Sequence, residues 1–325
     1  MATKSASMQA AAQQPLRVLI TGASEGIGAA VARRFAQAAT SGDGAGGGGV
    51  RLALLSRSRE KLEALVAALP PAGPGGAGGG SRHVVLPADL SDTASLAGVV
   101  AQAVEQLGGL DVVVHNGAPG DVDVNDMLNV ASWRGQMDMH VLSGVAIAAA
   151  AQPALAASRR GGVLLCVSSI CGQMPIPGFA AYCAAKAAQD MLVRTLAVAW
   201  GGAGIRVLSV APGPIHTPGL ERYVEPLGAK AAGTTNRDTA VAEGLKILGS
   251  RQPLGRVGTP EEVAAVIFFL ATQGSFVTGT ILPIDGGALA YSSWAGSSSS
   301  GGSSSSQKTG SSTDRGVEAP AGAVE

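Results

Sequence analysis

The sequence predicts an α/β domain built on one doubly wound, mostly seven-stranded parallel sheet flanked by helices. Three observations carry that expectation. Short apolar runs alternate along the chain with longer stretches of helical period, the pattern of parallel strands joined by crossover helices. Gly22, Asn116, Ser169 and Pro212 all fall just past the carboxyl ends of such runs, where sheets of this kind hold ligands. Of 325 residues, about 275 between Pro15 and Ala290 carry a core-forming pattern, a size suited to one such domain.

Composition sets the limits of that domain. Residues 1–14 are rich in Ala, Ser and Gln and read as a flexible amino end; 15–291 form the folded domain; 292–325 read as a disordered Ser/Gly-rich tail that lacks apolar bulk to offset chain ordering. With 23 basic and 23 acidic residues and no basic stripe, nucleic acid is excluded as a partner. The three cysteines, Cys166, Cys171 and Cys183, lack CxxC spacing, which argues for a reducing compartment and against structural zinc. Charged residues, Gly or Pro interrupt every apolar run before the 18 or so residues of a membrane span. The amino end is too weakly basic for a transit peptide, so the cytoplasm is the default compartment, with an organelle left open.

The first strand is Leu16 to Ile20, followed by Thr21-Gly22-Ala23-Ser24-Glu25-Gly26-Ile27-Gly28 and a helix from about Ile27 to Ala39. A glycine loop between strand and helix lets the backbone approach a pyrophosphate at the helix N-terminus, although a tight packing turn would use the same residues. Residues 41–49 read as a surface insertion before the second strand, Val50 to Leu55. That strand closes on Ser56-Arg57-Ser58-Arg59 without the acid that would hold the ribose of NAD. Arg57 instead suits a 2′-phosphate, so NADP(H) is favoured over NAD(H). Glu25 argues the other way, and Arg57 and Arg59 could equally begin the solvated, amphipathic helix REKLEALVAAL.

After a second insertion, 70–80, the third strand runs from His83 to Leu86, and Asp89 and Leu90 follow where an adenine edge could be held. Ser91 is expected to cap the next helix, which ends near Gly108. The fourth strand, Asp111 to Val114, leads into His115-Asn116-Gly117-Ala118-Pro119, small residues suited to lie against a cofactor. A long helix from about Trp133 to Ala151 carries His140. The fifth strand, 163–167, delivers Ser169. The sixth, 205–210, leads to Pro212-Gly213-Pro214-Ile215-His216-Thr217-Pro218, a rigid segment able to pack beside a nicotinamide ring. From 219 to 255 the pattern is irregular, with short helical pieces such as 238–248, and reads as a substrate lid. Pro260-Glu261-Glu262 opens a helix to about Ala271, and the last strand is Thr280 to Pro283.

The chemistry centres on the helix that starts near Phe179. Tyr182 and Lys186 lie four apart and share one face of it, and Ser169 stands 13 residues upstream of the tyrosine. A phenol of ordinary pKa about 10 is a poor acid or base at neutral pH, and an ammonium one turn away favours its ionised form. Tyr182 could then exchange a proton with a substrate oxygen that Ser169 hydrogen-bonds. Alone, YxxxK would be an ordinary buried tyrosine and surface lysine; the surrounding strands and loops supply the context.

Taken together, TGASEGIG, HNGA, SSICG, YCAAK and PGPIHT resemble, in order, the motifs of the short-chain dehydrogenase/reductase family. RVGTPEEVAAVIFFLATQGSFVTGTILPIDGG resembles the carboxyl-terminal block of its 3-oxoacyl-[acyl-carrier-protein] reductase-like members. The resemblance spans Leu16 to Ala290 and implies a Rossmann-type, NAD(P)-dependent oxidoreductase, a homotetramer or homodimer, that acts on a small-molecule or acyl-thioester substrate. Carried over by position, Ser169 orients substrate, Tyr182 is the acid/base, and Lys186 binds the nicotinamide ribose and lowers the tyrosine pKa. The implied cofactor set is Gly22, Ser24, Glu25, Gly26, Ile27, Gly28, Arg57, Asp89, Leu90, Asn116, Gly117, Tyr182, Lys186, Pro212, Gly213, Ile215 and Thr217, the last at the nicotinamide carboxamide.

Two departures stand out. His140 occupies the position where the family carries a relay asparagine, and is expected to join the catalytic set with a pKa near neutrality, becoming protonated somewhere below pH 7. His115 and the Gly117-Ala118 order also differ from the family's element. The expected activity is hydride transfer between the nicotinamide and a ketone, 3-oxoacyl thioester or secondary alcohol. An enoyl or dienoyl thioester reductase and a catalytically silent binding or scaffold protein are the alternatives.

Overall fold

Parallel strands covered by helices on both faces read as predominantly apolar runs, and seven such runs form the sheet, the edge strand β7 being the most open. The computed structural model describes residues 14–41, 48–71, 83–117 and 127–291. The strands are β1 (Leu16–Thr21), β2 (Val50–Ser56), β3 (Val84–Pro87), β4 (Val112–His115), β5 (Val163–Val167), β6 (Arg206–Pro212) and β7 (Ile281–Ile284). All pair in parallel in the order β3-β2-β1-β4-β5-β6-β7. The order reverses between β1 and β4, and a crevice opens at the carboxyl end of such a switch point. The described residues to Tyr291 form one compact unit. The expectations for the amino end, the bulk of both glycine-rich insertions, Ala118 and Pro119, and the Ser/Gly tail lie outside the described residues.

The helices are α1 (Gly26–Ser41), α2 (Arg59–Ala68), α3 (Leu96–Leu107), α4 (Val130–Met137), α5 (Ser143–Ala156), α6 (Ala180–Trp200), α7 (Pro218–Ala232), α8 (Arg237–Gly249) and α9 (Pro260–Thr272). Successive strand residues point to opposite faces, so β1 splits between two cores. Val18 and Ile20 join Phe35 of α1 and Phe268 of α9, whose rings meet edge-on at 5.1 Å. Leu19 joins Val100 of α3, Ile147 of α5 and Val193 of α6 on the other face.

Four sequence expectations are corrected. The helix placed at 133–151 runs from Val130 to Ala156, because Asn129 caps it by accepting from the N–H groups of Ala131 and Ser132 and a π-helical turn, Asp138–Leu142, joins α4 to α5. It is long and apolar enough by length and composition to cross a bilayer, contrary to the reading that no segment was, but Ile147, Ala148, Ala151 and Leu155 face the core. Ser91 does not cap α3: its N–H and hydroxyl both bind Asp89 Oδ1, and the helix starts five residues later. The segment 219–255 is more regular than expected: the helical piece read at 238–248 is α8, and a second helix, α7, precedes it. Thr217 caps α7 with Pro218 in its first turn, Gly233 ends it in a left-handed conformation, and Asn236 caps α8.

The two helices α7 and α8 make a hairpin with a small core of its own, Val224, Val241 and Leu248. Their backbones approach so closely that a β-carbon at Gly228 would collide with the carbonyl of Ala240, and one at Gly244 with that of Val224.

At the amino end of the sheet, Arg17 and Asp111 fasten β1 to the start of β4. Asp111 accepts from the Arg17 backbone N–H at 3.0 Å, from Nε at 2.9 Å and Nη2 at 2.7 Å, and from the Ser158 hydroxyl at 2.7 Å. Burial alone would raise the Asp111 carboxyl, but Arg17 and Ser158 together hold it below its ordinary value. Its stabilisation is therefore present above about pH 4 and is lost as the pH falls through the folded-state value. Asp111→Ala should cost about 3 kcal/mol of stability at neutral pH, with a smaller difference at acid pH. Urea denaturation of both proteins at two pH values measures this, and equal stabilities at neutral pH would mean the pair is dispensable.

Candidate active site

The glycine loop sits where β1 passes into α1. Gly22 and Gly26 take left-handed backbone conformations, with φ of 59° and 56°. A β-carbon at Gly22 would collide with the carbonyl of Asn116, and one at Gly28 with the carbonyl of Gly22, so these two glycines bring β1, β4 and α1 together. Asn116 locks the arrangement by donating from Nδ2 to the Gly22 carbonyl at 3.1 Å, and its N–H binds the Thr21 hydroxyl at 3.0 Å. The packing-turn reading of the loop therefore holds for Gly22 and Gly28. Gly26, Ser24, Glu25 and Ile27 remain partly open, with the first N–H groups of α1 beside them.

Around this loop the other sequence candidates converge. Thr217 lies against Gly26, where an added β-carbon would stand 3.2 Å from its methyl group, while its hydroxyl caps α7. A β-carbon at Gly117 would lie 3.3 Å from Leu90, so the ends of β3 and β4 close together. Ile215 is buried and pairs with Gly258, and Gly213 fits tightly against Asp285, which shapes the Pro212–Thr217 segment as a wall. Arg57 is exposed at the end of β2, near enough to Asp89 to favour its ionised form after the two Ser91 hydrogen bonds.

The sequence reading missed Lys61. From the first turn of α2 its Nζ reaches Glu25 Oε2 at 2.7 Å, so the anion in the glycine loop is paired. The partners are 36 residues apart, and nothing in the local pattern announces the contact.

Ser169, Tyr182, Lys186 and His140 come together on the neighbouring strand end. Ser169 stands in extended backbone after β5 and its Oγ accepts from the Cys171 N–H at 3.1 Å. Lys186 is 1% exposed; its Nζ donates to the Val167 carbonyl at 2.9 Å and to Gln189 Oε1 at 3.1 Å, and lies 5.6 Å from the centre of the Tyr182 ring. Burial brings its ammonium down to about 8, against the pull of Cys166, Asp190 and Cys171. Tyr182 departs from expectation. Burial, aided by Cys171 and Cys183, raises the phenol above its ordinary value despite the nearby Ser169 hydroxyl, so in the chain alone it holds its proton firmly.

His140 occupies the π-turn, fully buried, with its ring edge-on to Tyr182 at 5.3 Å. Among the described residues, neither ring nitrogen has a partner. The turn itself is tied down by side chains. The Ser143 N–H bonds the Asp138 carbonyl and its hydroxyl takes the carbonyl of Met139, while the His140 carbonyl accepts from Gln189 Nε2 at 3.2 Å. His115 lies between Thr21 and Ser143, 3.3 Å from each hydroxyl. Protonation of His140 falls below pH 7 as expected, but the expectation of a pKa near neutrality is corrected: burial first, then Lys186 and His115, holds it neutral far below that. From His140 the aromatic contacts run through Tyr182 to Phe179, at 6.3 Å, and on to Tyr223 of α7, at 5.4 Å.

A family model described as Enoyl-(Acyl carrier protein) reductase matches residues 22–288. Over 277 residues the chain is 32% identical to a 3beta-hydroxysteroid dehydrogenase 1 of Eggerthella lenta, covering 84% of this chain and 94% of that protein. It is 33% identical over 275 residues to 2-(S)-hydroxypropyl-CoM dehydrogenase 3 of Xanthobacter autotrophicus, covering 84% and 96%. Among solved structures, the L-sorbose reductase of Gluconobacter frateurii, complexed with NADPH and L-sorbose, superimposes with a TM-score of 0.72 at 26% identity over 85% of this chain and 97% of that one.

Burial also pushes His115 down, to about 3, with Lys186 acting in the same direction. The ring signals of His115 and His140 should therefore stay flat in an NMR titration from about pH 5.5 to 8. Unfolded histidines take up protons from about 6.5 downward, so both residues should draw stability away as the pH falls below that value. A midpoint near 6.5 for either ring would show that water reaches it.

Proposed function

The chain belongs to the short-chain dehydrogenase/reductase family and is an NAD(P)-dependent oxidoreductase, and on that premise we propose that it is an NADP(H)-linked dehydrogenase of secondary alcohols and ketones. The observation that supports this most is the convergence of Ser169, Tyr182 and Lys186 at the end of β5, on the same carboxyl edge of the sheet as the glycine loop. The open N-terminus of α1 suits a pyrophosphate, Asp89 and Leu90 flank the place of an adenine, and Pro212 to Thr217 wall a nicotinamide. The dinucleotide supplies or accepts the hydride. In reduction, the Ser169 hydroxyl donates a hydrogen bond to the substrate oxygen and holds it against the phenol, and Tyr182 delivers a proton to it. The raised phenol suits that donor role, because the proton is present at neutral pH. Lys186 offers a positive charge one turn away and a hydrogen-bond donor for the ribose, while His140, neutral, lines the proton path.

Preference for NADP(H) is supported by Arg57 at the end of β2 and by the Lys61–Glu25 pair, in which the glycine-loop carboxylate is neutralised. On the substrate side, Phe179 and Tyr223 extend an aromatic wall from Tyr182 into the α7–α8 hairpin. That wall favours cyclic, apolar ketones over a thioester, and the hydroxysteroid named for the Eggerthella lenta relative has the same character. Exposed Leu142 and Val145 on one helical face and Met191 and Val198 on another support assembly as a homodimer or homotetramer.

Purified protein should oxidise NADPH with cyclic ketones faster than with 3-oxoacyl thioesters, and no turnover with any carbonyl would leave only cofactor binding. Tyr182→Phe should lower turnover by about 10²-fold or more while cofactor binding persists; near-normal rates would remove Tyr182 from the reaction. Lys61→Ala exposes Glu25 to the 2′-phosphate and should weaken NADPH binding by about 10-fold with little change for NADH. Equal effects on both cofactors, read by calorimetry, would show that the pair does not discriminate.

A further inference from the structure

Gln189 stands on the buried face of α6, 1% exposed, three residues past Lys186. A buried amide is costly unless its donor and acceptor are both used. Here both are: Oε1 accepts from Lys186 Nζ at 3.1 Å, and Nε2 donates to the His140 carbonyl at 3.2 Å. The neighbours also fix which way the amide faces. An ammonium can only donate and a carbonyl can only accept, so the flipped amide would meet repulsion at both ends.

We infer that Gln189 is a positioning residue of the reaction: its amide clamps Lys186 to the π-turn carbonyl of His140 and so aims the one ammonium proton left for cofactor and tyrosine. An ammonium has three protons. The Val167 carbonyl takes one and Gln189 the second, both from acceptors held in the interior. The clamp also joins two elements distant in sequence, since the π-turn that carries His140 lies 49 residues before Gln189. The titratable and charged groups that face Lys186 are Cys166 of β5, Cys171 of the turn after Ser169, His115 of β4, His140 of the π-turn, and Tyr182 and Asp190 of α6 itself. Gln189 adds a neutral dipole whose oxygen end favours the charged ammonium.

This inference rests on the reading that Tyr182 and Lys186 drive the reaction, and two variants separate the two ideas. Gln189→Met keeps the bulk and removes both hydrogen bonds. Gln189→Glu keeps an acceptor for Lys186 and makes it anionic. In pH–rate profiles of carbonyl reduction at saturating NADPH, the alkaline limb that follows loss of the Lys186 proton should move to lower pH in Gln189→Met and to higher pH in Gln189→Glu, by about one unit each. Gln189→Met should also lower kcat near neutral pH by about 10-fold. A residue that merely filled space would change the melting temperature of both variants and leave the limb in place, and three coincident profiles would overturn the inference. If Gln189→Met does not fold, the upward movement in Gln189→Glu decides alone. If the wild type turns over no carbonyl, the catalytic reading fails instead. Calorimetry of NADP+ binding against pH then carries the test: opposite displacements in the two variants support the clamp, and identical pH dependence overturns it.

Discussion

The interior charge of Lys186 is the constraint on which the rest of the centre depends. An ammonium taken out of water must recover its solvation from fixed protein acceptors or give up its proton. This chain does some of each, with two acceptors in place and the ammonium brought down to about 8. The first acceptor, the Val167 carbonyl, is the last residue of β5 and exists in that place because the strand ends there. The second reaches into a helix that abandons its regular ladder at Asp138–Leu142. The turn after Ser169 also accommodates it: a β-carbon at Gly172 would come within 2.8 Å of Asp190 Oδ2 and 3.0 Å of the Lys186 carbonyl carbon, so only a residue without one lets the turn lie flat on α6. Strand end, π-turn and glycine turn are three answers to one solvation problem.

What the sequence makes legible follows from how local the physics is. The strands were readable because parallel strands covered on both faces are predominantly apolar, and α9 because Thr259, Pro260, Glu261 and Glu262 carry its N-terminal chemistry in consecutive residues. In the α7–α8 hairpin, α8 was readable at 238–248, but α7 was misread as irregular because Pro226 and Gly228 interrupt the helical pattern, although Gly228 serves close backbone contact between the two helices. The π-turn left no periodic signature, since it displaces the register by a single residue. Its indirect mark was a buried polar set, His140, Ser143 and Gln189, on helices otherwise rich in alanine.

Electrostatics was the least legible layer. Placing Lys186 one turn from Tyr182 suggested an acidified phenol, but burial of the phenol outweighs the charge in the chain alone. The same burial keeps His140 neutral far below the pH at which an exposed imidazole titrates. Spacing reports which groups are neighbours; it does not report how much water each retains, and that decides the sign of the shift. The Lys61–Glu25 pair shows the converse, a charge cancelled by a residue that no motif contains.

The α7–α8 hairpin has a further consequence for how such a protein can change over generations. Its helices are held to each other by a private core and by glycines fitted backbone to backbone, whereas the groups proposed to handle the proton stand at the end of β5, on α6 and in the π-turn. Tyr223 is the hairpin's aromatic contact with Phe179 beside that machinery. Mutations that re-shape the hairpin's inner surface can therefore accumulate without disturbing the proton path, and a lineage can explore new molecules to oxidise while its chemistry stays the same. The division of labour between a fixed floor and a separately stabilised roof makes the scaffold evolvable.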